Sequence, residues 1–296
     1  MLTRIITALI AIPIVVALVF CRGGLPFTIL IGVVAVLGLL EFYGGARRGG
    51  ARPHLLLGLA AGVLFIYFGS GLTSINLLAP LAVTGAADPL WLIPTFTGLV
   101  LLSLIFELIR EERAPFVNVG VTILGLGYVV WLLLHFIWLR GMGSGAAHGI
   151  RVGPWESERG AWLVMFVLLA TWAVDTGAYF IGKFYGKKKL APRLSPGKTV
   201  EGSIGGFVCA VVIGAVTAAI IRMPQPHGLI LGALIGIVGQ IGDLAESALK
   251  REVGIKDFGS IVPGHGGILD RIDSLLFTGP VVFWYVAIFL SRWISP

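Results

Sequence analysis

Charge is what this 296-residue chain has least of: 12% of its residues are charged, while 57% are hydrophobic. The mean hydropathy is +0.96. Soluble domains carry about 25% charged residues, so half of the usual solvating surface is missing and a soluble globular class is excluded. Cysteine is nearly absent. Cys21 and Cys209 lie at or in apolar runs, so neither a structural disulfide nor redox chemistry is expected. Interleaved aromatic and basic stretches of the kind that bind nucleic acid are also missing, as are a fixed-period repeat, a soluble domain and a long linker. The short alternating segments of a membrane β-barrel do not occur either.

What is present is a series of long apolar runs, each near the roughly 20 residues needed to span a bilayer. Gly, Pro and charge clusters separate nine of them, at about 4–21, 25–43, 54–69, 90–110, 115–139, 161–182, 200–221, 228–250 and 268–291. The stretch 70–89, with Pro80, Gly85, Asp88 and Pro89, reads as irregular or re-entrant. The N-terminal run lacks small residues before a plausible cut, and Phe20 spoils a lipoprotein-type site at Cys21, so it reads as a retained span. With the N-terminus inside, 16 of the 22 Lys and Arg residues fall on the cytoplasmic side, as the positive-inside rule requires. The expected fold is therefore an all-α polytopic integral membrane protein of nine transmembrane helices, N-terminus cytoplasmic and C-terminus outside. Residues 1–160 would form a scaffold with oligomer contacts. Residues 161–296 would form a catalytic region with cytoplasmic loops 182–199 and 251–267.

Chemistry concentrates in those loops and the helices they join. Asp243, Glu246, Ser247, Lys250 and Arg251 are spaced i, i+3, i+4, i+7 and i+8, so they share one helical face. A charge at mid-bilayer costs about 2.5–3.5 kcal/mol on insertion scales, so such a stripe needs a wet cavity or partner charges. Lys250 and Arg251 also suit a solvated helix end; Asp243 lies two turns deeper. Asp270 and Asp273, at the start of the final span, complete an all-oxygen set with Asp243 of the kind hard divalent cations prefer. The run Pro263-Gly264-His265-Gly266-Gly267 lets backbone N–H groups approach an anion at a helix start. Lys250, Arg251, Lys256 and Arg271 add positive charge. Carboxylates for a metal, with glycines and cations for phosphate, suit phosphoryl or nucleotidyl transfer. His265 reads as a phosphate donor or loop organiser, since a phosphate nucleophile is already ionised near neutral pH.

A second constellation spans 172–206. Asp175 and Tyr179 share a face of the sixth span, and Lys187, Lys188 and Lys189 form a basic run that also serves as a topological anchor. Ser195-Pro196-Gly197-Lys198-Thr199 reads as a donor-rich turn before a helix. Lys198 leans towards substrate binding, whereas Ser195 and Thr199 suit capping equally well. Glu41 and Glu107, near the ends of two spans, read as interfacial, and His135 as a packed core histidine.

These residues resemble a known signature. Ser247-Ala248-Leu249-Lys250-Arg251, then Lys256-Asp257, then Pro263-Gly264-His265-Gly266-Gly267-Ile268-Leu269-Asp270-Arg271-Ile272-Asp273 is similar to that of the phosphatidate cytidylyltransferases, or CDP-diacylglycerol synthases. Trp172, Asp175, Tyr179, Gly182-Lys183, the Ser195–Gly202 stretch and Gly242-Asp243-Leu244 resemble the same family. Val262 is a minor departure, and the first 160 residues match only in hydropathy. The resemblance implies the Mg²⁺-dependent reaction of CTP with phosphatidate to give CDP-diacylglycerol and pyrophosphate, in phospholipid biosynthesis. It implies a metal centre at Asp243 and Asp270 with Asp273 as a further ligand, and catalytic roles for Asp243, Lys250 and Asp270. Substrate contacts would come from Asp175, Ser195, Lys198, Ser247, Arg251, Lys256, Asp257, His265, Gly266, Gly267 and Arg271. A homodimer is suggested by the family alone, and carboxylate count leaves room for a second cation such as K⁺. The expected location is the plasma (inner) membrane, amid membrane lipids, with the site facing the cytoplasm. Two alternatives stay open: a CTP-dependent lipid-alcohol kinase, and an ion-coupled secondary transporter using its intramembrane acids.

Overall fold

A computed structural model describes residues 2–70, 89–111, 113–143, 149–152, 155–261 and 266–294. The helices are α1 (Leu2–Phe20), α2 (Leu25–Arg48), α3 (Leu55–Gly69), α4 (Leu92–Ile109), α5 (Pro115–Gly125), α6 (Leu132–Gly141), α7 (Arg159–Tyr185), α8 (Val200–Ile220), α9 (His227–Glu252), α10 (Leu269–Phe289) and the short α11 (Ser291–Ile294). A π-helical stretch, Leu126–Trp131, joins α5 to α6, so Pro115–Gly141 is one continuous span. In hydrocarbon every backbone N–H and C=O must be satisfied within the segment, and these unbroken apolar runs satisfy theirs as helices.

Seven of the helices are long and apolar enough to cross a membrane: α2, α4, the α5–α6 span, α7, α8, α9 and α10. The runs at Leu9–Phe20 and Leu55–Gly69 are apolar but shorter. All nine expected runs are thus helical, with ends shifted by a few residues. The expected irregular segment 70–89 lies, from 71 to 88, outside the described residues.

Two antiparallel hairpins depart from an all-helical reading. Strands β1 (Gly149–Val152) and β2 (Trp155–Glu158) pair before α7. Strands β3 (Lys189–Ala191) and β4 (Ser195–Thr199) pair before α8, so the presumed Ser195–Thr199 turn is a strand. Both hairpins occupy loops, where chain ends brought together by neighbouring helices can pair without an apolar pattern to announce them.

Small residues set the helix spacing in the C-terminal half. A Cβ at Gly214 of α8 would lie 2.8 Å from Gly232 Cα of α9, and one at Gly232 would lie 2.7 Å from Ala210 O. Backbone meets backbone there, as in small-residue packing of membrane helices. A Cβ at Gly242 would meet Asp273 O at 2.8 Å, which presses α9 against the start of α10. In the N-terminal half the buried Tyr43 ring packs on Gly58 and Gly125 and donates from its hydroxyl to Thr122 O at 2.7 Å. His135 is buried among Trp131, Trp138, Phe283 and Trp284, with Nδ1 2.9 Å from Trp131 O, which makes it a packed core histidine. Cys21 and Cys209 are both free.

Candidate active site

The close approach of α7, α8 and α9 leaves a cleft of about 470 Å³ at one end of these helices, topped by the β3–β4 hairpin. Asp175 and Tyr179 from α7, Ser195 and Lys198 from β4, Ser203 from α8 and Gln240 and Asp243 from α9 line it. Lys198 Nζ lies 2.6 Å from Asp243 Oδ2, an ion pair that joins hairpin and helix within the cleft. Ser247 Oγ, one turn on, is 3.5 Å from Asp243 Oδ1. Ser203 Oγ donates to Gln240 Oε1, and Gln240 Nε2 donates back to Ser203 O at 3.2 Å. That reciprocal pair fixes α8 against α9 beside the acids.

The hairpin is held from beneath. Thr199 Oγ1 accepts from Gly202 N at 3.1 Å and caps α8. Glu201 Oε2 accepts from Lys187 N at 3.0 Å, and both its oxygens accept from Lys188 N. Thr199 and Glu201 are therefore structural, and they place Lys198 so that its ammonium points into the cleft.

Two turns further along α9, Lys250 Nζ lies 2.5 Å from Glu246 Oε2 and 2.8 Å from Asp270 Oδ1. Asp270 Oδ2 accepts from Phe258 N at 3.2 Å and Gly267 N at 2.9 Å. One aspartate thus gathers both ends of the glycine-rich loop and a lysine. Gly266 has a φ of +85°, which favours glycine, and a Cβ there would also crowd Asp270 Oδ2 at 3.2 Å. Arg251 donates from Nε to Leu194 O at 3.2 Å and from its guanidinium to Ile255 O at 3.3 Å. It therefore ties the β3–β4 hairpin to the 251–261 loop. Lys256 and Asp257 are exposed in that loop, and His265 lies outside the described residues.

Asp243, Asp175 and Asp273 lie within electrostatic reach of one another, with Lys198 and Arg271 acting on Asp175 and Lys250 on Asp273. Among the described residues no three His, Cys, Asp or Glu side chains close into a ligand set. One oxygen of Asp243 and one of Asp270 instead face ammonium groups, while the second oxygen of Asp270 is taken by two backbone N–H groups. An open arrangement of one or two carboxylates suits Mg²⁺, which keeps waters and takes its other ligands from substrate phosphates.

One contributor was misjudged from sequence. Glu41, expected at the interface, is 6% exposed and accepts from Leu269 N at 2.9 Å, at the first turn of α10. Its carboxylate packs against Gly259 and Gly267, the two glycines flanking the loop. A negative group at a helix start stabilises that end. Glu107 was misjudged likewise, being 2% exposed and hydrogen-bonded to Ala114 N and Asn118 Nδ2. Only their position near span ends, where an acid is otherwise unneeded, hinted at either role.

Comparison with known proteins finds relatives along nearly the whole chain. A profile of the cytidylyltransferase family matches residues 2–289. The chain is 34% identical over 302 residues to a phosphatidate cytidylyltransferase of Synechocystis sp., covering 97% of each chain. It is 34% identical over 288 residues to the phosphatidate cytidylyltransferase of Bacillus subtilis, again covering 97% of each. Against that of Brucella suis it is 34% identical over 250 residues, covering 81% of this chain and 86% of the relative. With a cleft that joins acids to bases and a match that runs from α1 to the end of α10, the chain belongs to the cytidylyltransferase family.

Proposed function

We propose that the protein is a phosphatidate cytidylyltransferase: an integral membrane nucleotidyltransferase that makes CDP-diacylglycerol and pyrophosphate from CTP and phosphatidate. The observation that carries this is the cleft in which Asp243 and Asp175 meet Lys198, joined through Arg251 to the glycine-rich loop held by Asp270. An ionised oxygen of the lipid phosphate attacks the α-phosphorus of CTP in line. A new P–O bond forms there, the bond to the β-phosphate oxygen breaks, and pyrophosphate leaves with that electron pair. No proton need be removed from the nucleophile.

Two polyanions must be held together, so neutralisation and positioning supply most of the acceleration. Lys198, which lines the cleft, would neutralise the triphosphate, and Lys256, exposed in the 251–261 loop, would add to the positive charge. Lys250 holds Asp270 and, through it, the backbone donors of the loop. Arg251 keeps hairpin and loop at a fixed separation. Mg²⁺ would be held by Asp243 and Asp270, with Asp273 beside them, and would supply charge neutralisation at the phosphates. The clustering of Asp243 with Asp175 and Asp273 supports a cation there, whereas Asp270 would have to give up Lys250 or a loop N–H to join it. The acyl chains would remain in lipid, and the proposed topology is nine crossings of the inner membrane, with the N-terminus and the site on the cytoplasmic side, an orientation that the charge bias supports.

The test is an incubation of purified protein with phosphatidate, Mg²⁺ and CTP labelled in the cytidine. Label should pass into the organic phase with one pyrophosphate released per lipid labelled. Release of CDP with a newly phosphorylated lipid alcohol would instead identify a kinase.

A further inference from the structure

A buried polar network lies outside the cleft. Glu107 Oε1 accepts from Ala114 N at 2.9 Å and Asn118 Nδ2 at 2.7 Å, while Oε2 lies 3.1 Å from His54 Nε2. Asn118 Oδ1 accepts from Arg52 N at 2.8 Å, and Thr122 Oγ1 accepts from His54 N at 2.8 Å. Glu107, Asn118, Thr122 and His54 are all buried. Burying polar groups at the ends of apolar helices is costly unless each is bonded, and bonded sets of this kind rigidify what they hold. This one clamps the α2–α3 loop to the α4–α5 turn.

The clamp presents arginines. Arg110 is 3.4 Å from Glu107 Oε2 and donates to Arg52 O at 2.6 Å. Arg47, from the last turn of α2, completes the wall of a cleft of about 540 Å³ lined by Arg47, Gly50, Ala51, Arg52, Pro53 and Arg110. A topological anchor needs only mobile surface cations, so the buried scaffold that holds Arg52 and Arg110 is unexplained by membrane orientation. A planar guanidinium fork matches phosphate oxygens bidentately. We propose that this arginine cleft is a second phosphate-binding site, for the phosphate of an anionic lipid headgroup or for free phosphate. It adjoins the transfer site: Val253 packs on Gly49, and Ile255 and Phe258 pack on Gly45, so the wall that carries Arg47 also supports the 251–261 loop.

The claim stands on geometry, and its test counts ligands rather than turnover. Full-length protein in neutral detergent is titrated calorimetrically with dioctanoyl phosphatidate, dioctanoyl phosphatidylcholine and inorganic phosphate. Wild type should bind one more phosphatidate than R47Q/R52Q/R110Q, and phosphatidylcholine should not fill the extra place. If the chain has no transferase activity the same difference of one is expected, because only the count at the first site changes. Displacement of the extra phosphatidate by inorganic phosphate would make free phosphate the ligand; resistance to it would make the lipid headgroup the ligand. Should the triple variant not fold, R47Q alone, which leaves the Glu107 network intact, should weaken the extra site about tenfold, and R47K should restore part of that loss. Equal stoichiometry and affinity in wild type and variant, or equal filling by phosphatidylcholine, overturns the proposal.

Discussion

Lys198 and Asp243 face each other across 2.6 Å in the cleft; on the proposed mechanism each would exchange the other for phosphate and cation. Asp243→Asn should cut turnover by about 100-fold or more while leaving the chain inserted, measured as cytidine label reaching the organic phase; a near-normal rate at saturating Mg²⁺ would remove Asp243 from the metal site. Lys198→Ala should lower the rate comparably and raise KM for CTP, and unchanged kinetics would exclude it from triphosphate binding. Glu41 acts at a distance. Glu41→Ala should remove about 0.5–2 kcal/mol of helix-start stabilisation and lower kcat more than KM, with Glu41→Gln recovering part of the loss because its amide oxygen still accepts from Leu269 N. Equal behaviour of the two variants would show that the acceptor is not what matters. The face carrying Asp243, Ser247, Lys250 and Arg251 was legible because helical spacing fixes which side chains align. Glu41 was not, since its partner is a backbone N–H 228 positions away and no local pattern encodes it.

At the scale of elements, α8 and α9 touch backbone to backbone at Gly214 and Gly232, and this contact brings Gln240 and Asp243 up to Ser203. Gly232→Val should push the helices apart at a cost of about 1–3 kcal/mol, seen as a lower unfolding temperature in detergent; an unchanged temperature would mean the helices can part freely. The sequence alone does not mark these glycines, because close approach depends on which helix lies opposite. The β3–β4 hairpin was hidden for a related reason. Its strands are too short and too polar to show alternation, and its pairing is fixed by Glu201 and Thr199 beneath it.

On the scale of the whole molecule, apolar run lengths announced the helices, and 16 basic residues against 6 suggested how they alternate across the bilayer. Free, exposed Cys21 offers a native probe of that alternation. A membrane-impermeant thiol reagent should label Cys21 in intact inverted vesicles only after permeabilisation, whereas a cysteine placed by Lys188→Cys should react without it. The opposite pattern would reverse the orientation. The division at residue 160 is less clean in space than in sequence, because α2 delivers Glu41 to the start of α10.

That single reach has a consequence for how the chain can be cut. A fragment beginning at α7 would keep every signature residue yet lose the strut beneath Gly259 and Gly267, so it should be inert alone. Co-expression with the missing front portion should revive it, as two halves of one mould must be pressed together before either holds a shape.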